Sequence, residues 1–312
     1  MAAPIVVFAY RRPEHLRRTL LSLMECEGFA DSPVIVYCDG PKSAEERPSI
    51  EATRQVAQDM LGSGAEYHFS EANRGLSRSV IRGVSEVTQR FGRAIVIEDD
   101  LLLATGFLVY MNSALDRYAD DPEVHQVSGY MFDVPEFAGQ RDALFLPLTV
   151  SWGWATWRHA WVAFDPEASG WERLLSDREL LLRFNLAGAY DYAAMLENQM
   201  TGRANSWAVR WYWTVFRGDG LVLFPPRSLV DNAGMDGSGT HGRGRMTSFG
   251  GEQRTPAQSG PIGMPVDVAV DPAQFAQVRA AIWRQNGGWL GQARNHLRRL
   301  LKQASRRAGS QG

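Results

Sequence analysis

The sequence lacks a long apolar run. No window approaches the ~20 consecutive apolar residues needed to span a bilayer, and no early stretch joins a basic start, an apolar run and a small-residue cleavage site. Cysteine is scarce as well, because Cys26 and Cys38 are the two present and cannot make a disulfide framework or a zinc site. With 45% apolar and 22% charged residues, the composition is that of a soluble globular protein. We expect a cytoplasmic protein.

Glycine-rich phosphate-binding motifs are also missing. Neither GxGxxG nor GxxxxGK[ST] follows any of the predicted strands, which argues against a dinucleotide dehydrogenase and a P-loop NTPase. Any phosphate must therefore be bound by something other than a glycine-rich loop.

Acidic residues are absent after Asp271, although the whole chain has a net charge of −2. The basic residues of this final stretch are Arg279, Arg284, Arg294, Arg298, Arg299, Lys302, Arg306 and Arg307. We therefore expect residues 266–312 to form a basic helical tail. Its leucines and arginines can separate on a helix that binds anionic lipid headgroups, which would place the protein at the inner face of the plasma membrane. The alternative is a solvated, partly disordered end. Without a recognised binding module, nucleic acid is not an expected partner.

Short apolar runs alternate with helical patterns over the first hundred residues. Residues 4–9, 33–38, 65–69 and 94–97 have the β-branched, apolar character of buried strands. Helical spacing predicts helices over about 13–24, 43–61 and 76–87, with a further helix at 105–118 and a strand at 123–130. This order predicts an α/β fold with a mostly parallel central sheet flanked by helices. Beyond residue 130 the pattern becomes irregular and dense in tryptophan.

Three consecutive acids, Glu98, Asp99 and Asp100, follow the last of these strands. In open α/β sheets ligands bind beyond the carboxyl ends of the strands. Neighbouring carboxylates there repel one another unless a cation or hydrogen-bond donors meet them. A divalent Mn²⁺ or Mg²⁺ ion that bridges a diphosphate would satisfy them. The alternative is a solvated acidic turn or helix start.

The strand–acid order, with AIVIEDD at 94–100, resembles the nucleotide-binding half of GT-A-fold glycosyltransferases. Its EDD is similar to that of the N-acetylglucosaminyltransferase I family. The later motifs WGWATW, SWAVRWYW and DNAGMDGSGTH resemble bacterial family-2-like enzymes of surface-polysaccharide synthesis. The resemblance spans about residues 4–245. It implies a Rossmann-like donor half at 1–130 and an irregular acceptor half at 131–265, followed by the tail.

The resemblance also implies roles for individual donor-site residues. Asp100 matches the metal ligand, Asp99 the residue facing the ribose, Glu98 a supporting acid and Asp39 the acid that reads the base. The positions expected along the nucleoside and diphosphate are Ala9, Tyr10, Arg11, Arg74, Gly75 and Arg78. Two simpler readings stay open: Arg74 and Arg78 as solvated helix residues, and Asp39 as the cap of its Asp-Gly turn.

His241 resembles a histidine that such enzymes bring to the metal or diphosphate, and the glycine-rich loop 234–251 is expected to be a mobile lid. An exposed histidine without such a role is the alternative. Trp154 and Trp207 are expected to line the sugar or acceptor pocket, against the alternative that they are core residues.

An inverting enzyme needs a carboxylate that takes the proton of the acceptor hydroxyl. Relatives place it just before the SWAVRW motif, where this chain has Asn205. We therefore expect Glu197 in this role, with Asp191 in reserve, against the alternative of an exposed helix charge.

The expected function is transfer of a sugar, most simply from a UDP-sugar, to a glycan or lipid-linked acceptor in bacterial surface polysaccharide or glycoconjugate synthesis. Inversion is implied by the resemblance alone. Two alternatives remain: a sugar nucleotidyltransferase, whose usual glycine-rich basic loop is replaced here by FAYRRPEH, and a catalytically inactive nucleotide- or carbohydrate-binding homologue.

Overall fold

The computed structural model of the protein describes residues 2–236 and 261–288. In chain order its strands are β1 (Ile5–Ala9), β2 (Val34–Cys38), β3 (Ala65–Phe69), β4 (Arg93–Glu98), β5 (Leu101–Leu103), β6 (Val124–Ser128), β7 (Leu144–Leu146), β8 (Trp154–Trp157), β9 (Leu221–Phe224) and β10 (Val230–Asn232). The helices are α1 (Pro13–Met24), α2 (Arg47–Leu61), α3 (Leu76–Phe91), α4 (Phe107–Arg117), α5 (Arg158–Trp161), α6 (Arg178–Phe184), α7 (Tyr192–Met200), α8 (Trp207–Arg217) and α9 (Pro272–Gln285).

Eight of these strands form one sheet, in the order β3-β2-β1-β4-β8-β6-β9-β7. Strands β1 to β4 pair in parallel, whereas β8 is antiparallel to both β4 and β6. A separate antiparallel pair joins β5 to β10. Helices flank the mostly parallel central sheet, which confirms the predicted α/β fold class and is consistent with a GT-A-like fold. The sheet continues past residue 130, so the two predicted halves share one sheet.

Strands β1, β2 and β4 are largely buried, whereas β3, at the edge of the sheet, is only half-buried. All five residues of β1 and of β2 are buried. Helix α3 approaches β1 closely at Gly83, where an added Cβ would lie 2.7 Å from the Phe8 ring. Helix α2 begins at Arg47, after a short 3₁₀ turn, because Pro48 suits its first turn rather than breaking it.

The tryptophan-rich motifs, which showed no clear period in the sequence, supply regular elements. Residues Trp154–Trp157 are strand β8, and Trp207–Arg217 are helix α8. The side chain of Trp211 on α8 is buried and donates from Nε1 to Gln126 Oε1 on β6, at 2.6 Å. The aromatic rings of β8 and α8 thus form part of the core of the second half of the chain.

The predicted basic tail begins with a helix that packs on the body of the protein. Val278, Ala281 and Ile282 of α9 are buried, and Arg284 pairs with Glu136. Residues 289–312, which carry the remaining arginines and the lysine, lie outside the described residues, so the tail's lipid contact stays a prediction. Within residues 2–236 and 261–288, no helix combines the length and the apolar character required to cross a membrane.

We predict that Gly40→Ala destabilises the protein, because the new Cβ would lie 2.5 Å from the backbone carbonyl carbon of Ala72. Overpacking against backbone costs about 1–3 kcal/mol, which denaturant unfolding can measure. Gly64→Ala is the matched control, since nothing lies within 4 Å of its added Cβ. Equal stability of the two variants would contradict the close approach.

Candidate functional site

Strand direction brings the predicted site residues to one edge of the sheet. Because β1 to β4 run parallel, the residues that follow them meet at their carboxyl ends, here called the carboxyl edge. Strand β6 is antiparallel to β8, which is antiparallel to β4, so the residues after β6 and before β8 reach the same edge. The acid triplet, the Asp39 turn and the loop at 70–75 therefore lie along one surface.

The acids after β4 are held by an arginine from the first loop. Arg12 Nη2 donates to Asp99 Oδ1 at 2.7 Å and to Asp100 Oδ2 at 2.8 Å. The backbone N–H of Tyr10 donates to Asp99 Oδ2 at 2.9 Å. Both Asp99 oxygens are thus engaged, while Asp99 itself is buried. Its predicted contact with a ribose stays a prediction.

Burial and mutual charge interactions shift the pKa values of Glu98, Asp99 and Arg12. Burial, reinforced by the Asp100 and Asp99 carboxylates and opposed by Arg12, raises the pKa of Glu98 to about 8. Burial also raises the pKa of Asp99, although Arg12 and the Tyr10 N–H act in the opposite direction. Burial disfavours the charged form of Arg12, but Asp99 and Asp100 outweigh it and raise the pKa of Arg12. One guanidinium thus stabilises two neighbouring carboxylates.

Asp39 organises the loop that follows β3. Its Oδ2 accepts the backbone N–H of Gly75 at 2.7 Å, and its Oδ1 accepts those of Arg74 and Gly40, each at 2.9 Å. Gly75 has a φ of +84°, which few other residues adopt. Asp39 therefore fixes the path of the loop across the carboxyl edge. Its predicted reading of the base stays a prediction.

A second polar network lies beside the first loop. The Tyr10 hydroxyl donates to Glu46 Oε2 at 2.6 Å, and Arg11 Nη1 donates to Glu46 Oε1 at 3.0 Å. Ala9, at the end of β1, accepts the N–H of Asp39 at 3.2 Å. The predicted nucleoside contacts Ala9, Tyr10 and Arg11 therefore lie together at this edge, with Tyr10 and Arg11 anchored by Glu46.

Two arginines of this edge remain exposed. The side chains of Arg74 and Arg78 are solvent-exposed, and neither makes a hydrogen bond or ion pair within the described part of the chain. Both lie at the start of α3, next to the loop that Asp39 holds. Such guanidinium groups can bind a diphosphate.

The second half of the chain also reaches the acid triplet. The backbone N–H of Ala233 donates to the carbonyl of Asp100 at 2.8 Å, directly after Asn232 pairs with Leu101. Beside this pair, the rings of Tyr130 and Trp152 meet edge to face, with centroids 4.9 Å apart. Trp152 is half-buried, whereas Trp154, which follows on β8, is buried.

The expectation that Trp154 and Trp207 line a sugar pocket is not supported. Trp154 is fully buried and Trp207 is 4% exposed, and their rings stack with centroids 5.1 Å apart. Both side chains pack in the aromatic core between β8 and α8, where they fill the space between the sheet and the helix. Neither offers a face to a ligand.

Asp191 precedes α7, whereas Glu197 lies within this helix. Asp191 caps the helix, accepting from the N–H of Ala194 at 3.2 Å, which gives it a structural role. Glu197, about 9 Å further along the helix axis, accepts from Arg203 Nη2 at 3.2 Å. The segment after Glu197 approaches the carboxyl edge, since Asn205 Nδ2 lies 3.6 Å from an ideal Cβ on Gly75. The roles of Glu197 and Asp191 as the base stay predictions.

The metal prediction rests on Asp100 in the part of the chain that the structure describes. Residues 2–236 and 261–288 contain no group of three or more potential metal ligands, and His241 lies outside them, as does most of the predicted lid at 234–251. Mg²⁺ and Mn²⁺ accept one or two carboxylates together with substrate phosphates. Asp100 fits that set, provided that a diphosphate supplies the other oxygens.

Arg12 and Glu46 are the residues of this edge to which sequence reasoning gave no role. Arg12 stands in the motif YRRP directly after β1, at a position that strand order already marked. Glu46 belongs to a capping-box pattern with Ser43, yet it binds Tyr10 instead of capping α2. Only the tertiary contact distinguishes these roles.

Comparison with solved structures found a weak structural likeness. No protein-family model matches the chain, and a search of curated proteins also gave no match. The chain is similar to the crystal structure of S. aureus TarS with 13% identity and a TM-score of 0.29. The match covers 41% of this chain and 21% of TarS. The fold assignment rests on the strand order of the central sheet.

We predict that the stability of the protein falls as the pH rises toward about 8. With its pKa raised from 4.5 to about 8, Glu98 holds a proton in the folded state that the unfolded state has released, so stability is lost through that window. Glu98→Gln should flatten this fall in a series of melting temperatures at pH 5, 7 and 9. The control is Glu172→Gln, an exposed position. Parallel profiles for wild type and Glu98→Gln would contradict the burial of an ionisable Glu98.

Proposed function

We propose that the protein is a glycosyltransferase that takes a sugar from a nucleotide diphosphate donor and passes it to a glycan or lipid-linked acceptor. The observation that carries the proposal is the convergence of the acid triplet, the Asp39-held loop and two exposed arginines on one edge of the sheet. Acids alone would repel a diphosphate. The arrangement of acids beside Arg74 and Arg78 suits a donor that carries both phosphates and hydroxyls.

In this proposal each group of residues has one task. Arg74 and Arg78 bind the diphosphate and neutralise the charge that grows on it as the sugar leaves. Asp39 keeps their loop in place. Asp100, with Mn²⁺ or Mg²⁺ when bound, supplies electrostatic stabilisation of the leaving group. Tyr10 and Arg11 form the wall against which the nucleoside lies.

The acceptor would enter from the side of α7 and Trp152. Glu197 is our proposed base, which takes the proton from the attacking hydroxyl, and Trp152 offers an aromatic face to a sugar ring. Inversion, a UDP-linked donor and a role in bacterial surface polysaccharide synthesis are carried by the sequence resemblance. Peripheral attachment through the basic tail would suit a lipid-linked acceptor.

The first prediction concerns donor binding. A panel of UDP-, GDP-, CMP- and dTDP-sugars, each with Mn²⁺ or EDTA, should raise the melting temperature for one base and only with the metal. At a ligand concentration of 100 Kd the stabilisation is about 2.7 kcal/mol. Asp100→Ala should abolish the shift, because it removes the carboxylate expected to hold the metal.

Asp59→Ala is the control for that panel, since Asp59 is exposed on α2 and bonds only Gln55 across one helical turn. It should keep the wild-type shift. No shift with any nucleotide would overturn the donor site. Pyrophosphate release from a nucleoside triphosphate and a sugar 1-phosphate would instead identify a nucleotidyltransferase.

The second prediction concerns the base. With the donor found by the panel and a competent acceptor, Glu197→Gln should lower kcat by about 100-fold or more and leave donor binding unchanged. Glu179→Gln, an exposed glutamate at the start of α6, is the matched control. Unchanged turnover of Glu197→Gln would remove this residue from the mechanism, and tight binding without any turnover would favour an inactive homologue.

A further inference from the structure

Arg12 has a contact pattern that the proposed function does not use. A single nitrogen, Nη2, bridges Asp99 Oδ1 at 2.7 Å and Asp100 Oδ2 at 2.8 Å. The other terminal nitrogen, Nη1, is buried and has no hydrogen-bond partner among residues 2–236 and 261–288. Buried donors without an acceptor are uncommon in folded proteins. Nη2 of the guanidinium thus donates to two carboxylates, whereas Nη1 donates to no atom of the described residues.

The backbone at Gly234 closes over the same pair. An ideal Cβ on Gly234 would lie 2.3 Å from Asp100 Oδ2 and 2.9 Å from Arg12 Nη1. The neighbouring Ala233 N–H holds the carbonyl of Asp100 at 2.8 Å. Asp100 Oδ2 is therefore enclosed by a guanidinium on one side and backbone on the other. A divalent cation that binds this oxygen would meet Arg12 Nη2, which lies 2.8 Å from it.

A guanidinium and a divalent cation would compete for Asp100 Oδ2. A guanidinium and a divalent cation on one carboxylate oxygen would repel each other strongly at hydrogen-bond distance. The described residues offer a cation no group of three or more ligands, so protein alone gives it little to offset that repulsion. A diphosphate changes both the repulsion and the shortage of ligands. Its oxygens can complete the coordination of the cation and can accept from Arg12 Nη1.

We infer that Arg12 is the resident counter-cation of Asp99 and Asp100, and that it makes divalent-cation binding conditional on the nucleotide diphosphate. Without a nucleotide, Arg12 occupies Asp100. With the nucleotide, Arg12 turns to the diphosphate and releases Asp100 to the cation. This inference rests on the proposed function for the identity of the diphosphate, whereas the competition between Arg12 and the cation concerns the free protein.

The test measures Mn²⁺ binding by electron paramagnetic resonance, without any turnover. Wild type should bind Mn²⁺ weakly alone and much more tightly with the nucleoside diphosphate. Arg12→Ala should bind Mn²⁺ alone about tenfold more tightly than wild type, and the gain from the nucleotide should shrink. Arg17→Ala removes the same charge from the exposed side of α1, where Arg17 pairs with Glu14 at 3.8 Å, and should match wild type.

Two outcomes would overturn the inference: wild type that binds Mn²⁺ alone as tightly as Arg12→Ala does, or Arg12→Ala without any gain. If Arg12→Ala fails to fold, the guanidinium resonance of Arg12 in wild type, assigned with Arg12→Lys, replaces it. That resonance should shift with Mg²⁺ plus nucleoside diphosphate and stay in place with Mg²⁺ alone, and a shift with Mg²⁺ alone would reject the inference. A protein that binds no nucleotide rejects the proposed function, while the Mn²⁺ titration of the free protein still decides the competition.

Discussion

The desolvated carboxylates at the end of β4 impose the constraint on which the site depends. A buried strand delivers Glu98, Asp99 and Asp100 to the carboxyl edge, where each charge raises the free energy of the others. Arg12 offsets that cost by binding two of the three acids through one nitrogen. Glu98 lowers the cost by staying protonated below a raised pKa of about 8. The first loop after β1 is consequently tied to the end of β4, and the backbone N–H of Tyr10 takes part in this tie by donating to Asp99.

A second carboxylate sets the opposite side of the edge. Asp39 binds three backbone N–H groups and so fixes the loop that carries Arg74 at the start of α3. Polar groups in a loop must find partners when the chain passes close to the sheet, and an acid at the end of a strand provides them locally. The acids that follow β2 and β4, on either side of β1, therefore have different roles. Asp99 and Asp100 bind the Arg12 guanidinium, and Asp39 binds backbone N–H groups.

The second half of the chain completes the edge through packing. The aromatic core around Trp154, Trp207 and Trp211 packs α8 against strand β8 of the sheet. That core positions the segment after α7, so that Asn205 approaches Gly75. Trp152, two residues before β8 begins, is half-buried at the carboxyl edge. Trp154 is buried because it lies on β8 inside the sheet.

The sequence alone determined the first four strands, because apolar β-branched runs of this length favour buried strands; residues 65–69 were predicted at their observed bounds. It also determined that acids follow β4, since position after a parallel strand is a local property. Only the tertiary structure decided what those acids contact. Arg12 and Asp99 are 87 residues apart in sequence, and no periodicity encodes such a pairing. The same holds for Trp154 and Trp207, whose burial depends on a helix and a strand that meet only in the folded chain.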